Sequence, residues 1–270
     1  MLEVHPVTPS IGAEIAGIDL REPCARDTFA ALDRAWIDHK VLFFRDQRIT
    51  TDQHLAFCRQ FGALEIHPFA PSKSDYPEVL LVIANAYRRG NENTWHSDVT
   101  WRELPSRGSM LHAIEVPGVG GDTLFANMEA AYDGLSPALQ ERLLGLTAVH
   151  DLSRVAASIA GPEAANALRG QYPPMEHPVI RTHPTTGRRS IYVNAAFTSH
   201  IAGISREESD LLLPFLYRQA AIPEYQCRLR WQADTVALWD NRCVQHYAAS
   251  DYFPAPRLME RVTIAGDRPH

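Results

Sequence analysis

Val236-Ala237-Leu238-Trp239-Asp240-Asn241 reads as a short strand that stops at a polar turn. Its β-branched and aromatic residues suit a pleated, buried surface, and the Asp-Asn pair suits the turn that follows. Runs of the same kind recur along the chain: Val41-Leu42-Phe43-Phe44, Val79 to Ile83, Met110 to Val116, Thr123-Leu124-Phe125, Ile191-Tyr192-Val193, Cys227 to Trp231 and Val262-Thr263-Ile264. Several are bounded by turn signals such as Gly120-Gly121-Asp122 and Thr185-Thr186-Gly187. Short strands repeated at such intervals predict a mainly β protein, a sandwich or a barrel.

Helical spacing of apolar residues flanks these runs, at Arg26 to Asp38, Thr51 to Phe61, Pro137 to Leu146 and Arg206 to Ala220. Thr50 with Gln53, and Ser205 with Glu208, have the spacing of a capping box, in which each residue satisfies the other's orphan backbone donor. Ser136-Pro137 places a capping hydroxyl before a proline at the first helical position. The alanine-rich stretch from Val155 to Tyr172 has no sharp period. It reads as a helical or mobile insertion, a candidate lid spanning about residues 155–175. With no internal repeat and no long polar linker, residues 1–270 are expected to form a single domain.

The chain has 270 residues, 45% of them apolar and 21% charged, which is ordinary globular usage and gives no sign of disorder. A net charge of -6 without a basic stripe speaks against a nucleic-acid partner. No window approaches a membrane span, and Met1-Leu2-Glu3-Val4-His5-Pro6 is not a signal peptide, so a cytoplasmic location is expected. Cys24, Cys58, Cys227 and Cys243 have no CxxC spacing, which supports neither a disulfide framework nor a cysteine-bound zinc.

Chemistry enters with Trp95-His96-Ser97-Asp98-Val99 and with the distant His246, which follows the opening stretch through Arg242-Cys243-Val244-Gln245. In an extended strand His96 and Asp98 point to the same side, so both can grip one ion while Ser97 points away. Two imidazoles and one carboxylate are the ligand set of a non-haem iron(II) site, with positions left open for a cosubstrate and dioxygen. A structural zinc would want four closing ligands. An HxD pair alone arises often by chance, but Arg257 and Arg261 add weight. Two arginines four apart at a strand entrance are costly near a core unless they meet anions, which a guanidinium fork binds through parallel hydrogen bonds. Two other classes stay open on the residues alone: a zinc-dependent hydrolase or isomerase using the same ligands, and a non-catalytic small-molecule binding module. His39, His54, His112, His150, His177, His183 and His200 have no partner at ligand spacing.

Nearly end to end, the chain resembles the iron(II)- and 2-oxoglutarate-dependent dioxygenases of the taurine dioxygenase group, which also includes alkylsulfatase and phenoxyacetate-herbicide dioxygenases. The resemblance runs through Ile11-Gly12-Ala13-Glu14-Ile15, Val41 to Gln47, Phe61-Gly62, Ile66-His67-Pro68, Trp95 to Thr100 and Gly120 to Leu124. It continues through His177-Pro178-Val179, Val193-Asn194, Trp239 to Arg242, His246-Tyr247-Ala248, Asp251-Tyr252 and Arg257 to Thr263. It implies a double-stranded β-helix core (jelly roll, cupin-like) with flanking helices, and an oxidoreductase using Fe(II), 2-oxoglutarate and O2. By the same resemblance His96, Asp98 and His246 hold the iron, and Arg257 and Thr123 hold the far carboxylate of 2-oxoglutarate. His67, the Val99 backbone, Phe197 and Arg261 hold the substrate. The implied reaction is hydroxylation of a small anionic organic molecule. Taurine or a related sulfonate, released as sulfite and an aldehyde, is the default, and an alkyl sulfate ester or aryloxyalkanoate is the alternative. A dimer or tetramer is also implied. Ala70 and the Val155-Ala156 stretch stand where the taurine enzyme carries aromatic side chains, which predicts room for a bulkier substrate.

Overall fold

The computed structural model describes residues 2–68, 71–90 and 92–270, with the backbone alone at 158–160. Ala70, expected to widen one pocket wall, lies outside the described residues. Eight strands form one sheet in the order Glu3–Pro6, Ala13–Ala16, Val41–Phe44, Val236–Asp240, Gly108–Glu115, Arg257–Ile264, Tyr76–Ala84 and Ser72–Lys73. Neighbours are antiparallel except Ala13–Ala16 and Val41–Phe44, which run parallel. Opposite lies a sheet of Gln226–Leu229, Thr123–Asn127 and Val244–Ala248. A further sheet of Thr198–Ile201, Thr147–His150 and Met175–Pro178 and a hairpin of Ile180–Thr182 with Arg189–Ile191 complete the jelly roll.

The period-two geometry of a strand explains why the deciding runs are continuously apolar. Leu42, Phe44, Val236, Leu238 and Met110 point to one core, shared with Leu32 and Trp36 of the Arg26–His39 helix and Leu55 and Phe57 of the Thr51–Arg59 helix. Their neighbours Val41, Phe43, Ala237, Trp239 and Leu111 point inward to a second core with Phe125, Leu229 and Val244 of the facing sheet. Each large side chain so buried contributes roughly 1.5–3 kcal/mol. The same alternation puts Arg257, Met259 and Arg261 on one face of the Arg257–Ile264 strand.

Both capping boxes form as the spacing predicts, at Thr50 with Gln53 and at Ser205 with Glu208, and Ser136 caps the helix that starts at Pro137. The run Ile191-Tyr192-Val193 is not a strand as the sequence predicts: the strand is Arg189–Ile191, and the Tyr192 N–H bonds the Val179 carbonyl at 2.9 Å. The alanine-rich stretch is a helix, Ser153–Gln171, broken at Gly161, whose φ of 85° precedes the helix-breaking Pro162. Among the described residues no helix is long and apolar enough to cross a membrane.

His54 is a polar residue in the helix-side core. It is 0% exposed, neither ring nitrogen has a hydrogen-bond partner among the described residues, and its ring packs edge-on to His112 at 5.8 Å. Burial first, then the neighbouring His112 and Lys73, lowers its pKa to about 3. The unfolded chain therefore takes up a proton below the ordinary value of about 6.5 while the native state stays neutral, so stability falls as pH drops from there toward 3. His54→Leu is expected to stabilise the protein by about 1–2 kcal/mol at pH 7, since it removes an unsatisfied polar group. It should also flatten the decline between pH 7 and 5 by about 2 kcal/mol. Urea unfolding of both proteins at the two pH values checks this, and equal slopes would refute it.

Candidate active site

His96 and His246 meet through their backbones. The His96 N–H donates to the His246 carbonyl at 3.1 Å, and the His246 N–H returns the bond at 2.8 Å. Ser97 adds a side-chain bond from its Oγ to the Val244 carbonyl at 2.7 Å. These bonds splice the segment before Asp98 onto the Val244–Ala248 strand and set the two imidazole rings 4.2 Å apart. The expected extended strand is thus confined to a single bridge at His96, and Asp98 already begins a turn. Both residues still reach one point: a ligand atom from each of His96, Asp98 and His246 lies within 4.8 Å of the others.

Each ring is oriented by its surroundings. Nδ1 of His96 is 2.7 Å from the Thr94 carbonyl, which accepts its proton and leaves Nε2 with a lone pair. The His246 ring lies 4.9 Å from Trp239 and 6.3 Å from Phe125, with Nε2 4.0 Å from Asp98 Oδ1. Burial, then His96, lowers the His246 pKa to about 3, so the ring is neutral and able to ligate at neutral pH. Burial alone would push the Asp98 carboxyl up. The charge of Arg261, the two imidazoles and a bond from Ser109 instead hold it well below the usual carboxylate range. Arg261 Nη1 donates to Asp98 Oδ1 at 2.8 Å. The donor set, two imidazoles and one ionised carboxylate on one face, fits a divalent iron.

Val99 follows with φ of 46°, a left-handed conformation that costs a β-branched residue roughly 1–2 kcal/mol. A buried network holds the turn. The Thr100 hydroxyl bonds His150 Nδ1 at 2.9 Å and accepts from Asn194 Nδ2 at 3.1 Å, and the Arg102 N–H closes onto the Val99 carbonyl at 2.9 Å. The turn aims Val99 into a cavity of about 1090 Å³, also lined by His96, Asp98, His67, Phe197 and Arg261. Burial, then the charges of Arg261 and Arg102, lowers the His67 pKa to about 4, so Arg261 supplies the positive charge and His67 acts as a neutral partner. Phe197 lies edge-on to His96 at 6.1 Å. The Ser153–Gln171 helix closes the far side. Val155, Ala157 and Ala165 face the cavity, whereas Ala156 is buried and is not among its lining residues.

Arg257 and Thr123 are not among the residues lining that cavity. Arg257 is 4% exposed, its Nε has no partner among the described residues, and its guanidinium lies 6.0 Å from the Tyr252 ring. The same ring packs against the Gly120-Gly121 turn before Thr123, where a methyl added to Gly121 would come within 3.2 Å of it. Both glycines need φ near +80° and +70°, at 81° and 72°. Thr123 is buried, and its hydroxyl accepts from the Trp231 indole at 2.9 Å. A buried guanidinium with an unpartnered N–H is what a carboxylate of a dicarboxylic acid would satisfy.

Some residues around the site were not singled out from the sequence. Ser109 donates to Asp98 Oδ2 at 2.7 Å, and Asn241 accepts from the Asp98 N–H at 3.2 Å. Ser109 carried a readable signal, a lone hydroxyl on a strand face otherwise occupied by Leu111 and Ala113. His183, read as having no partner at ligand spacing, in fact sits in a second cluster with Asp240 and Cys243. That cluster is already satisfied. Arg242 grips both Asp240 oxygens at 2.8 and 2.6 Å, and His183 donates to one of them at 3.1 Å while its other nitrogen accepts from the Thr185 and Thr186 N–H groups. It locks a turn.

The model of the taurine catabolism dioxygenase TauD, TfdA family matches residues 3–263. The chain is 38% identical to an alpha-ketoglutarate-dependent sulfate ester dioxygenase of Pseudomonas putida, over 99% of this chain and 91% of that one. It is 34% identical to an alpha-ketoglutarate-dependent 2,4-dichlorophenoxyacetate dioxygenase of Cupriavidus pinatubonensis, over 97% of each. A crystal structure of a putative alpha-ketoglutarate-dependent taurine dioxygenase from Burkholderia xenovorans superposes with a TM-score of 0.88 at 36% identity, covering 100% of this chain and 94% of that one.

Proposed function

The chain belongs to the taurine catabolism dioxygenase TauD, TfdA family, an oxidoreductase family using Fe(II), 2-oxoglutarate and O2, and on that premise we propose that it hydroxylates a small organic anion with an apolar body. An alkyl sulfate ester or alkyl sulfonate fits best, and the hydroxylated carbon then sheds its sulfur-bearing group to leave an aldehyde. The observation that carries this reading is the cavity itself. Arg261 is the cation beside the proposed iron ligands, and Leu80, Val82, Val155, Ala157 and Ala165 form aliphatic walls.

In this reading His96, Asp98 and His246 hold the iron. Arg257, with Thr123, holds the far carboxylate of 2-oxoglutarate, which the unpartnered Nε of Arg257 supports. With 2-oxoglutarate and O2, the iron supplies the power to oxidise a C–H bond. The protein's share is positioning and exclusion of water. Arg261 and the neutral His67 fix the anionic head, the Val99 turn and Phe197 set the carbon beside the head against the metal face, and the Ser153–Gln171 helix acts as a lid. Exposed Arg88 and Arg154 at the cavity draw anions toward it. A second reading, an aryloxyalkanoate, is favoured by the aromatic edges of Phe197 and Trp101 in the same cavity. In the same reading, residues 1–270 act as one catalytic domain in a cytoplasmic homo-oligomer, whose size sedimentation would measure.

Adding iron(II) and 2-oxoglutarate without oxygen should produce the visible charge-transfer absorption of the chelate. Succinate formation should then be fastest with medium-chain alkyl sulfates or sulfonates, ahead of taurine and aryloxy acids. No succinate above background with any of these anions would sink the reading. Val155→Trp, which fills the lid-side wall, is expected to lower kcat/KM for hexyl sulfate about 10- to 100-fold. Values for ethanesulfonate should stay within about threefold, because a short chain does not reach that wall. Equal losses for the two would argue against the tail lying under the lid.

A further inference from the structure

Asp98 is gripped by a buried relay that treats its two oxygens differently. Ser109 Oγ lies 2.7 Å from Oδ2, and Asn241 Nδ2 donates to the same Oγ at 3.0 Å. A hydroxyl that already receives one donor has its own proton to give, so the Ser109 hydrogen points at Asp98 Oδ2. The Asn241 amide cannot turn over, because its oxygen accepts both the Asp98 N–H at 3.2 Å and the Trp239 indole N–H at 3.0 Å. Ser109 is 0% exposed and Asn241 1%. Ser109 sits in the middle of the large sheet, opposite Trp239 on one neighbouring strand and Thr263 on the other, so its hydroxyl has little room to shift. Oδ1 is left as the oxygen facing His246 Nε2 and Arg261.

We propose that Ser109, oriented by Asn241, is a positioning residue that reserves Asp98 Oδ2 and so makes Asp98 a one-oxygen ligand. This rests on His96, Asp98 and His246 being the iron ligands. The consequence is a count of positions. With one oxygen from Asp98 and one nitrogen from each histidine, the protein would supply three donor atoms to a six-coordinate metal, whereas a carboxylate binding through both oxygens would supply a fourth and take a position a cosubstrate or O2 would need. The Asn241 amide therefore governs metal geometry without touching the metal.

The test uses Co(II), a redox-stable probe, titrated into the metal-free protein and followed by its visible d–d bands. In Ser109→Ala the dissociation constant should rise about 10- to 100-fold, and the d–d spectrum of the saturated protein should change as Oδ2 becomes free to bind. Asn241→Asp keeps the acceptor oxygen but turns the donor into a second acceptor, which draws the Ser109 proton away from Asp98. It should weaken Co(II) binding similarly, although the added negative charge by itself would tighten it. Asn241→Asp, nearly the same shape, decides the matter if Ser109→Ala does not fold. Co(II) affinity within twofold of wild type and an unchanged spectrum in the folded variants would overturn the proposal. Asp98→Ala is the control: if it binds Co(II) as wild type does, the ligand assignment has failed, and if it loses Co(II) while the other variants behave as wild type, only the role of Ser109 has.

Discussion

Asp98→Ala is expected to cut turnover at least about a thousandfold, the equivalent of about 4 kcal/mol or more in the barrier, and to remove tight binding of Fe(II) or Co(II). The carboxylate is the one anionic donor in the His96, Asp98, His246 set, so two imidazoles would be left to hold a divalent cation beside the Arg261 guanidinium. The structural cost is separable from the chemical one. Deletion also leaves Arg261 without the oxygen it contacts at 2.8 Å and Ser109 without its acceptor, and breaking a buried pair costs about 3–5 kcal/mol, reduced here because Arg261 is partly exposed. A folded but metal-free protein, measured by circular dichroism and metal analysis, is the expected product. Turnover within tenfold of wild type would remove Asp98 from the centre of the mechanism.

Arg257→Met should separate function from stability. Affinity for 2-oxoglutarate, read from the anaerobic charge-transfer titration, is expected to fall by two to three orders of magnitude, in keeping with the roughly 2–5 kcal/mol lost when one partner of a buried charged pair is truncated. The unliganded protein should lose no stability and gain some, because a guanidinium that is 4% exposed with an unpartnered Nε is costly to bury. Burial lowers its pKa, opposed by Tyr252 and Glu92. Unchanged 2-oxoglutarate affinity would assign the far carboxylate to another residue. A lower unfolding midpoint would mean that contacts to Tyr252 outweigh the burial cost.

The cores were legible where one physical signal dominated. Val41–Phe44 and Val236–Asp240 are covered on both faces, so their sequences are continuously apolar and stand out. Val244–Ala248 did not stand out, because its Gln245 and His246 serve a hydrogen bond to Val193 and the site rather than a core. The Met128–Asp133 helix, six residues long, is too short to show a period, and its cap depends on Asn127 receiving two backbone N–H groups. At the candidate site, the ligand chemistry and spacing of His96 and Asp98 drew attention to residues that the fold brings together with His246. Ser109 and Asn241 act across strand neighbours, and His183 reaches Asp240 across a turn, so their pairings exist only once the sheet is built.

The mutual backbone bonds between His96 and His246 join segments far apart in the chain. The neighbouring bond from Ser97 to Val244 spans 147 residues of sequence, so the segments that carry the three donors are joined only after most of the chain has been made and collapsed. Closing so long a loop is slow and comes late. If His96, Asp98 and His246 hold the metal, the ion meets its full ligand set late in folding. Refolding rates are then expected to be the same with and without a divalent cation, which stopped-flow refolding in the presence and absence of Co(II) would check.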